Sequence, residues 1–206
     1  MKPFRRMFAL GLVMLLVACG GAPTPQLAPL PGDARVLAFG DSLTRGTGAG
    51  AADASYPALL AERIGREVIN AGEPGEQSAA GLERLPAILD RETPDLLLLC
   101  HGGNDLLRNR DEDALRDNLR QMVSLARDRD IPVLMIAVPA RALPLRSAGL
   151  YRDLADELDL PLVADAVADI LASRDLRADP VHPNSAGYAR LAEAVHEVLV
   201  AAGAVD

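Results

Sequence analysis

The sequence predicts an α/β fold of three layers, α/β/α, with one parallel five-stranded sheet covered by helices on both faces. Three observations carry that prediction. Apolar runs of strand length alternate with segments of helical period. The runs are apolar at nearly every position, which fits burial on both faces. A chain of 206 residues, 50% of them apolar, is long enough for one well-buried core and short for two.

The strands, in order, are VLAF at 36–39, EVIN at 67–70, DLLLLC at 95–100, PVLMIAV at 132–138 and a weaker PLVA at 161–164. Between them lie helical stretches: YPALLAERIG from Tyr56, SAAGLERLPAIL from Ser78 and DALRDNLRQMVSLARDR from Asp113. In the last of these, Leu115, Leu119, Met122 and Ala126 recur three or four apart and form one apolar stripe. The final helix, SAGYARLAEAVHEVLVAAG, repeats the pattern with Tyr188, Leu191, Val195, Val198, Leu199 and Ala202. Such stripes pack a core and need no functional explanation. There is no internal repeat.

Ahead of the domain, residues 1–18 read as an export signal: Lys2, Arg5 and Arg6 precede an apolar run from Met7 to Ala18 that is too short to span a bilayer. The run ends in LVAC before Gly20 and Gly21, which resembles a bacterial lipobox and predicts lipidation of Cys19. An ordinary secretory signal with an incidental Cys19 is the competing reading. Residues 19–33 then form a tether, proline-rich and without apolar period, and residues 34–206 form the domain. Cleavage would remove three basic residues and no acidic ones, moving the formal charge from -8 to -11. That balance disfavours nucleic acid and anionic headgroups as partners. Cys100 ends LLLLC and reads as a small buried residue.

In such sheets ligands sit beyond the carboxyl ends of the strands, so the residues just after each strand are the informative ones. They are Gly40, Asp41 and Ser42; Gly72 to Ser78; His101 to Asp105; Pro139 to Arg141; and, further on, DPVHPN at 179–184. The first of these loops, in LAFGDSLTRGTGAG, admits two readings. Gly46, Gly48 and Ala51 have the GxGxxA spacing of a phosphate cradle, but six residues separate them from the strand end, and the second strand ends in Asn70 rather than an acidic ribose partner. The other reading makes Ser42 a nucleophile, which requires a base oriented by a third group.

The chain has three histidines. His196 sits near the edge of the last helix's apolar stripe, and His101 follows a strand but has no carboxylate close in sequence. His182 has Asp179 three residues before it on a turn stiffened by Pro180 and Pro183. A carboxylate there would hold Nδ1 and leave Nε2 for Ser42. Acyl transfer also needs fixed donors for an oxyanion, and the post-strand loops offer the backbone N–H of Gly75 in NAGEPGE and the amide of Asn104 in HGGND.

GDSL at 40–43, NAGEPG at 70–75, GGND at 102–105 and DPVHPN at 179–184, in that order, resemble the four blocks of the SGNH, or GDSL, hydrolases, most closely the bacterial group of acyl-CoA thioesterase I, lysophospholipase L1 and arylesterase. The resemblance runs from about Val36 to the last helix. It implies a flavodoxin-like fold, Ser42 as nucleophile with its own N–H in the oxyanion hole, Gly75 and Asn104 as the other donors, His182 as base and Asp179 as its orienter. Several members carry a serine where this chain has Gly72, and Glu76 replaces a common aspartate; Gly75 is the better oxyanion match, with Gly72 the alternative. Asp41 and Asp105 are expected to pin loops. The GxSxG elbow of the α/β-hydrolases is not matched, since Thr44 stands at its last position.

The expected activity is serine esterase or thioesterase chemistry through an acyl-enzyme, with no cofactor and no metal, on a small acyl-ester or lipid substrate. A carbohydrate O-acetylesterase and a non-catalytic envelope binding protein are the alternatives. Beyond Cys19 only Phe39, Tyr56, Tyr151 and Tyr188 are aromatic and there is no Trp, which favours acyl chains over sugars that need a stacking platform. Gly46, Gly48 and Gly50 would be, at most, the floor or rim of an acyl pocket. The protein is expected to be a monomer held to a membrane through Cys19, the outer one facing the periplasm since no aspartate follows that cysteine.

Overall fold

The computed structural model describes residues 24–206; the export signal and Cys19 lie outside the described residues. Strand β1 (Arg35–Gly40) leads into a single helical turn, α1 (Ser42–Arg45), then a 3-10 turn at Ala52–Ala54 and α2 (Tyr56–Ile64). Next come β2 (Glu67–Gly72), α3 (Ser78–Glu92), β3 (Leu96–Cys100), the short α4 (Gly103–Leu107) and α5 (Glu112–Arg127). The remaining elements are β4 (Val133–Ile136), α6 (Gly149–Leu158), β5 (Leu162–Val163), α7 (Ala166–Ala172) and, after a second 3-10 turn at Arg174–Leu176, α8 (Ser185–Ala201).

The five strands form one parallel sheet in the order β2-β1-β3-β4-β5, so the predicted three-layer α/β architecture is the observed one. From β1 the chain steps outward to β2, then crosses back past β1 to β3 and continues in that direction to β4 and β5. Right-handed crossovers therefore put helices on opposite faces. One face carries α2 packed on α8, the other α3, α5 and α6. Between them β3 and β4 are buried at every residue, which is why LLLLC and VLMI show no alternation. β2 is an edge strand and is buried only at Gly72.

The helices form where apolar stripes coincide with good caps. Asp111 accepts from the backbone N–H groups of Asp113 and Ala114 at the start of α5, whose Leu115, Leu119, Met122, Val123 and Ala126 are buried. Asn184 caps α8, which buries Tyr188, Leu191, Val195 and Leu199. α6 and α7 are two short helices that the sequence reading did not single out; they bury Leu150, Tyr151 and Leu154, and Val167, Ile170 and Leu171.

The tether read over 19–33 is already docked in its second half, several residues before Ala34. Leu27 N–H donates to Ala202 O and Leu30 N–H to Ala204 O, each at 2.8 Å, and Leu30 is buried. The reason is local: the carbonyls of Ala202 and Ala204, just past the end of α8, are open to accept, and two leucines three residues apart pack on the apolar surface there. Arg66 clamps the same segment through Leu30 O and Pro31 O.

Leu98, fully buried in the middle of β3, is expected to cost about 2–5 kcal/mol of stability as Leu98→Ala, read from denaturant unfolding; a loss below about 1 kcal/mol would contradict a close-packed sheet interior.

Candidate active site

Gly40 ends β1 against its neighbours: a Cβ there would lie 2.0 Å from Cys100 O and 2.3 Å from Thr44 Oγ1, so only glycine fits. Asp41 turns the strand into a helix by accepting from Leu43 N–H at 3.0 Å. Ser42 thus stands at the first position of α1, facing a cavity.

The opposite wall is the turn before α8. Asp179 Oδ1 accepts from the N–H groups of Val181 and His182 at 2.8 and 2.9 Å, and its Oδ2 lies 2.8 Å from His182 Nδ1. His182 Nε2 lies 3.0 Å from Ser42 Oγ. Burial would raise the Asp179 pKa, but the bonds from His182 and Val181 outweigh it and leave the carboxyl below its usual range. An ionised Asp179 accepts the Nδ1 proton, which makes Nε2 the acceptor for the Ser42 hydroxyl. The two residues paired by sequence, with the serine, are thus brought together as one chain of hydrogen bonds.

Gly75 and Asn104 line the same cavity as Ser42. Gly75 adopts φ +81°, in the left-handed region that favours glycine, and its carbonyl accepts from Arg108 at 3.0 Å. Gly72, the alternative, is turned away: its N–H is bound to Asn70 Oδ1 at 3.0 Å, and a Cβ on it would strike Arg45 N at 2.2 Å. Asn104 Nδ2 donates to Asp41 Oδ2 at 3.2 Å, which fixes the amide and leaves its second N–H for the cavity. Burial pushes the Asp41 carboxyl up, opposed by His101, the Leu43 N–H and Asn104. Asp105 accepts from the N–H and the hydroxyl of Ser78 at 2.8 and 2.7 Å, tying the start of α3 to α4. Both aspartates therefore hold loops, as expected.

The cavity is about 310 Å³, in the lower range for small-molecule sites. Apart from the polar groups above, its walls are largely apolar, with Leu107, Val138, Pro139, Leu145, Leu171 and Val181, and Arg141 at one side. Gly46, Gly48 and Gly50 do not line it, contrary to expectation. Gly48 instead packs behind the histidine turn, where a Cβ would come within 2.6 Å of Pro183 O and 3.3 Å of His182 Cβ. Cys100 is buried and unpaired, and burial together with the Asp41 charge pushes its thiol pKa up, so it is inert.

Sequence proximity missed the partner of His101. Its Nε2 lies 3.0 Å from Glu76 Oε2, a carboxylate from the loop after β2, and its Nδ1 accepts from Gly102 N–H at 2.9 Å. The same carboxylate receives Arg84 at 2.8 Å (Oε1) and 2.6 Å (Oε2). His101 is wholly buried and does not reach the cavity.

The model of the GDSL-like Lipase/Acylhydrolase family matches residues 38–190. Among curated proteins, the chain is 32% identical over 177 residues to an arylesterase of Vibrio mimicus, covering 81% of this chain and 88% of the relative. It is 34% identical over 157 residues to thioesterase 1/protease 1/lysophospholipase L1 of Escherichia coli (strain K12), covering 72% and 75%. Among solved structures, AlinE4, an SGNH-hydrolase family esterase, superposes with a TM-score of 0.65 at 33% identity over 82% of this chain and 95% of that one. TesA superposes with a TM-score of 0.72 at 29% identity, covering 80% and 97%.

Burial raises the Glu76 pKa, but the bonds from His101 and Arg84 outweigh it and take the carboxyl from 4.5 down to about 2. Because folding lowers this pKa, the unfolded chain binds the proton more readily, and the stability Glu76 contributes is complete above pH 4.5 and lost as pH falls towards 2. Glu76→Gln should unfold at lower denaturant than the parent at pH 7, with the gap narrowing between pH 5 and pH 2; a gap independent of pH would show that the ionised carboxylate contributes nothing.

Proposed function

The chain belongs to the GDSL-like lipase/acylhydrolase family and is a carboxylic ester hydrolase, and from that premise we propose that Ser42, His182 and Asp179 carry out its reaction. The observation that carries this reading is the unbroken line from Asp179 Oδ2 through His182 to Ser42 Oγ at the edge of an apolar cavity. Ser42 Oγ attacks the acyl carbonyl while His182 Nε2 takes its proton. The oxyanion forms between the N–H groups of Ser42 and Gly75 and the amide of Asn104. The tetrahedral intermediate expels the alcohol or thiol, which receives the proton from His182. Water then repeats the sequence on the acyl-enzyme and frees the acid. Asp179 stabilises the imidazolium in both halves and stays ionised.

The substrate we infer is an oxyester or thioester of an aliphatic acid. The apolar walls suit an alkyl chain, and the relatives named arylesterase and thioesterase 1/protease 1/lysophospholipase L1 are by name ester and thioester hydrolases. We further propose that LVAC at 16–19 directs lipidation of Cys19, anchoring a monomer at the outer membrane. Radiolabelled palmitate should enter the full chain in a bacterial host and be lost in Cys19→Ser; equal labelling of the two would remove the anchor.

A fluorophosphonate probe should label the parent and leave Ser42→Ala untouched. The same variant should lose on the order of 10⁴-fold or more in kcat on p-nitrophenyl butyrate. Asn104→Ala should lose on the order of 10²- to 10³-fold, as expected for one oxyanion donor. Full turnover by Ser42→Ala would sink the mechanism. A series of p-nitrophenyl and thioester substrates of graded acyl length locates the preferred chain.

A further inference from the structure

One partly buried cluster touches each of the three loops that bear the oxyanion donors, yet it lines no part of the cavity. Glu76 follows Gly75 directly, and its side chain is only 7% exposed. It receives Arg84 on both oxygens, at 2.8 and 2.6 Å, and faces His101 Nε2 at 3.0 Å. Arg84 then donates to Ala71 O at 3.2 Å and Gly40 O at 3.4 Å, the ends of β2 and β1, with its guanidinium 4.2 Å above the Phe39 ring. His101 accepts from Gly102 N–H at 2.9 Å, two residues before Asn104, and its carbonyl receives the Tyr151 hydroxyl at 2.8 Å. A Cβ at Gly81 of α3 would lie 2.4 Å from His101 Nε2, so the ring reaches Glu76 only because that position has no side chain.

Donors for a developing oxyanion are effective only if they are fixed before the charge appears, and a displacement near 1 Å costs about 10²-fold in rate. The Gly75 turn is closed by Glu76 N–H to Glu73 O at 3.2 Å and anchored at its start by Glu73 N–H to Gly40 O at 3.0 Å, but Gly75 itself is in the left-handed region and its carbonyl bond runs to the exposed Arg108. A charge-assisted cluster on the next residue, shared with the Asn104 loop, supplies that rigidity. We propose that Glu76 is a positioning residue of the reaction: by gripping Arg84 and His101 from the residue beside Gly75, it sets the Gly75 N–H and the Asn104 amide where the oxyanion will form. The proposal rests on the serine-hydrolase reading above.

The test measures kcat and KM on p-nitrophenyl butyrate, and the affinity of an alkyl trifluoromethyl ketone, whose carbonyl Ser42 attacks to leave an oxyanion. Circular dichroism and thermal melts establish that each variant is folded at the assay temperature. Glu76→Gln should lower kcat on the order of 10- to 100-fold with KM within about twofold, and weaken the ketone by the factor lost in kcat/KM. A purely structural role predicts folded Glu76→Gln with parental kcat and ketone affinity, and that result overturns the proposal. If Glu76→Gln does not accumulate, Gly81→Ala, which displaces His101 and leaves the Glu76–Arg84 pair, takes its place under the same criteria. A parent that neither hydrolyses the ester nor reacts with fluorophosphonate overturns the hydrolase reading itself; an active parent with an equally active folded variant overturns only the positioning role.

Discussion

Three strands finish on one rung of the sheet, and the site depends on it. Gly40 pairs laterally with Gly72 on one side and with Cys100 on the other. Neighbouring strands in a sheet lie about 4.8 Å apart, so the loops that follow β2, β1 and β3 start side by side within about 10 Å. Those loops bear Gly75, Ser42 and Asn104. A parallel sheet with β1 in the middle therefore delivers a nucleophile flanked by two donors before any side chain has been chosen. The crossover that returns α8 against α2 brings the turn at 179–184 over the same edge, and the base arrives from the far end of the sequence.

Such an edge buries polar groups, which is costly unless each finds a partner. Among the described residues no buried side-chain nitrogen or oxygen lacks one. Asp41 shows how this is met: it is enclosed, yet it accepts from the Leu43 backbone and from Asn104, so one carboxylate both starts α1 and orients an amide. Asp105 does the same between α3 and α4 through Ser78, with Asn118 donating to the Ser78 hydroxyl. The polar residues around Ser42 form a frame of local caps cross-linked between neighbouring loops, and rigidity is obtained without a disulfide among the described residues.

Much of this was legible in the residues. The five strands, the four helices α2, α3, α5 and α8 and the Asp179–His182 pair follow from apolar runs, periodic stripes and a three-residue spacing, all of which are local signals. What proved illegible was non-local or short. His101 found its carboxylate 25 residues back in sequence, a pairing created only by the register of β1, β2 and β3. α7 is about two turns, too short for a period to stand out, whereas α6, at ten residues, is longer than α2 and escapes the sequence reading although Leu150, Tyr151 and Leu154 recur at helical spacing. Gly48 looked like part of a pocket because its loop is glycine-rich, whereas the glycine is needed for close approach to the turn that carries His182. The proline-rich segment reads from composition as a tether, and composition does not register that Leu27 and Leu30 pair with Ala202 and Ala204 just past α8.

That docked segment has a geometric consequence. α8 begins three residues after His182 and runs 17 residues, about 25 Å, before Ala202 and Ala204, just past its end, accept from Leu27 and Leu30. Residues 24–30 therefore meet the domain at the end of α8 away from the turn that bears His182. A support gripping residues 24–30 would touch the face remote from His182 and leave the rim of the cavity clear.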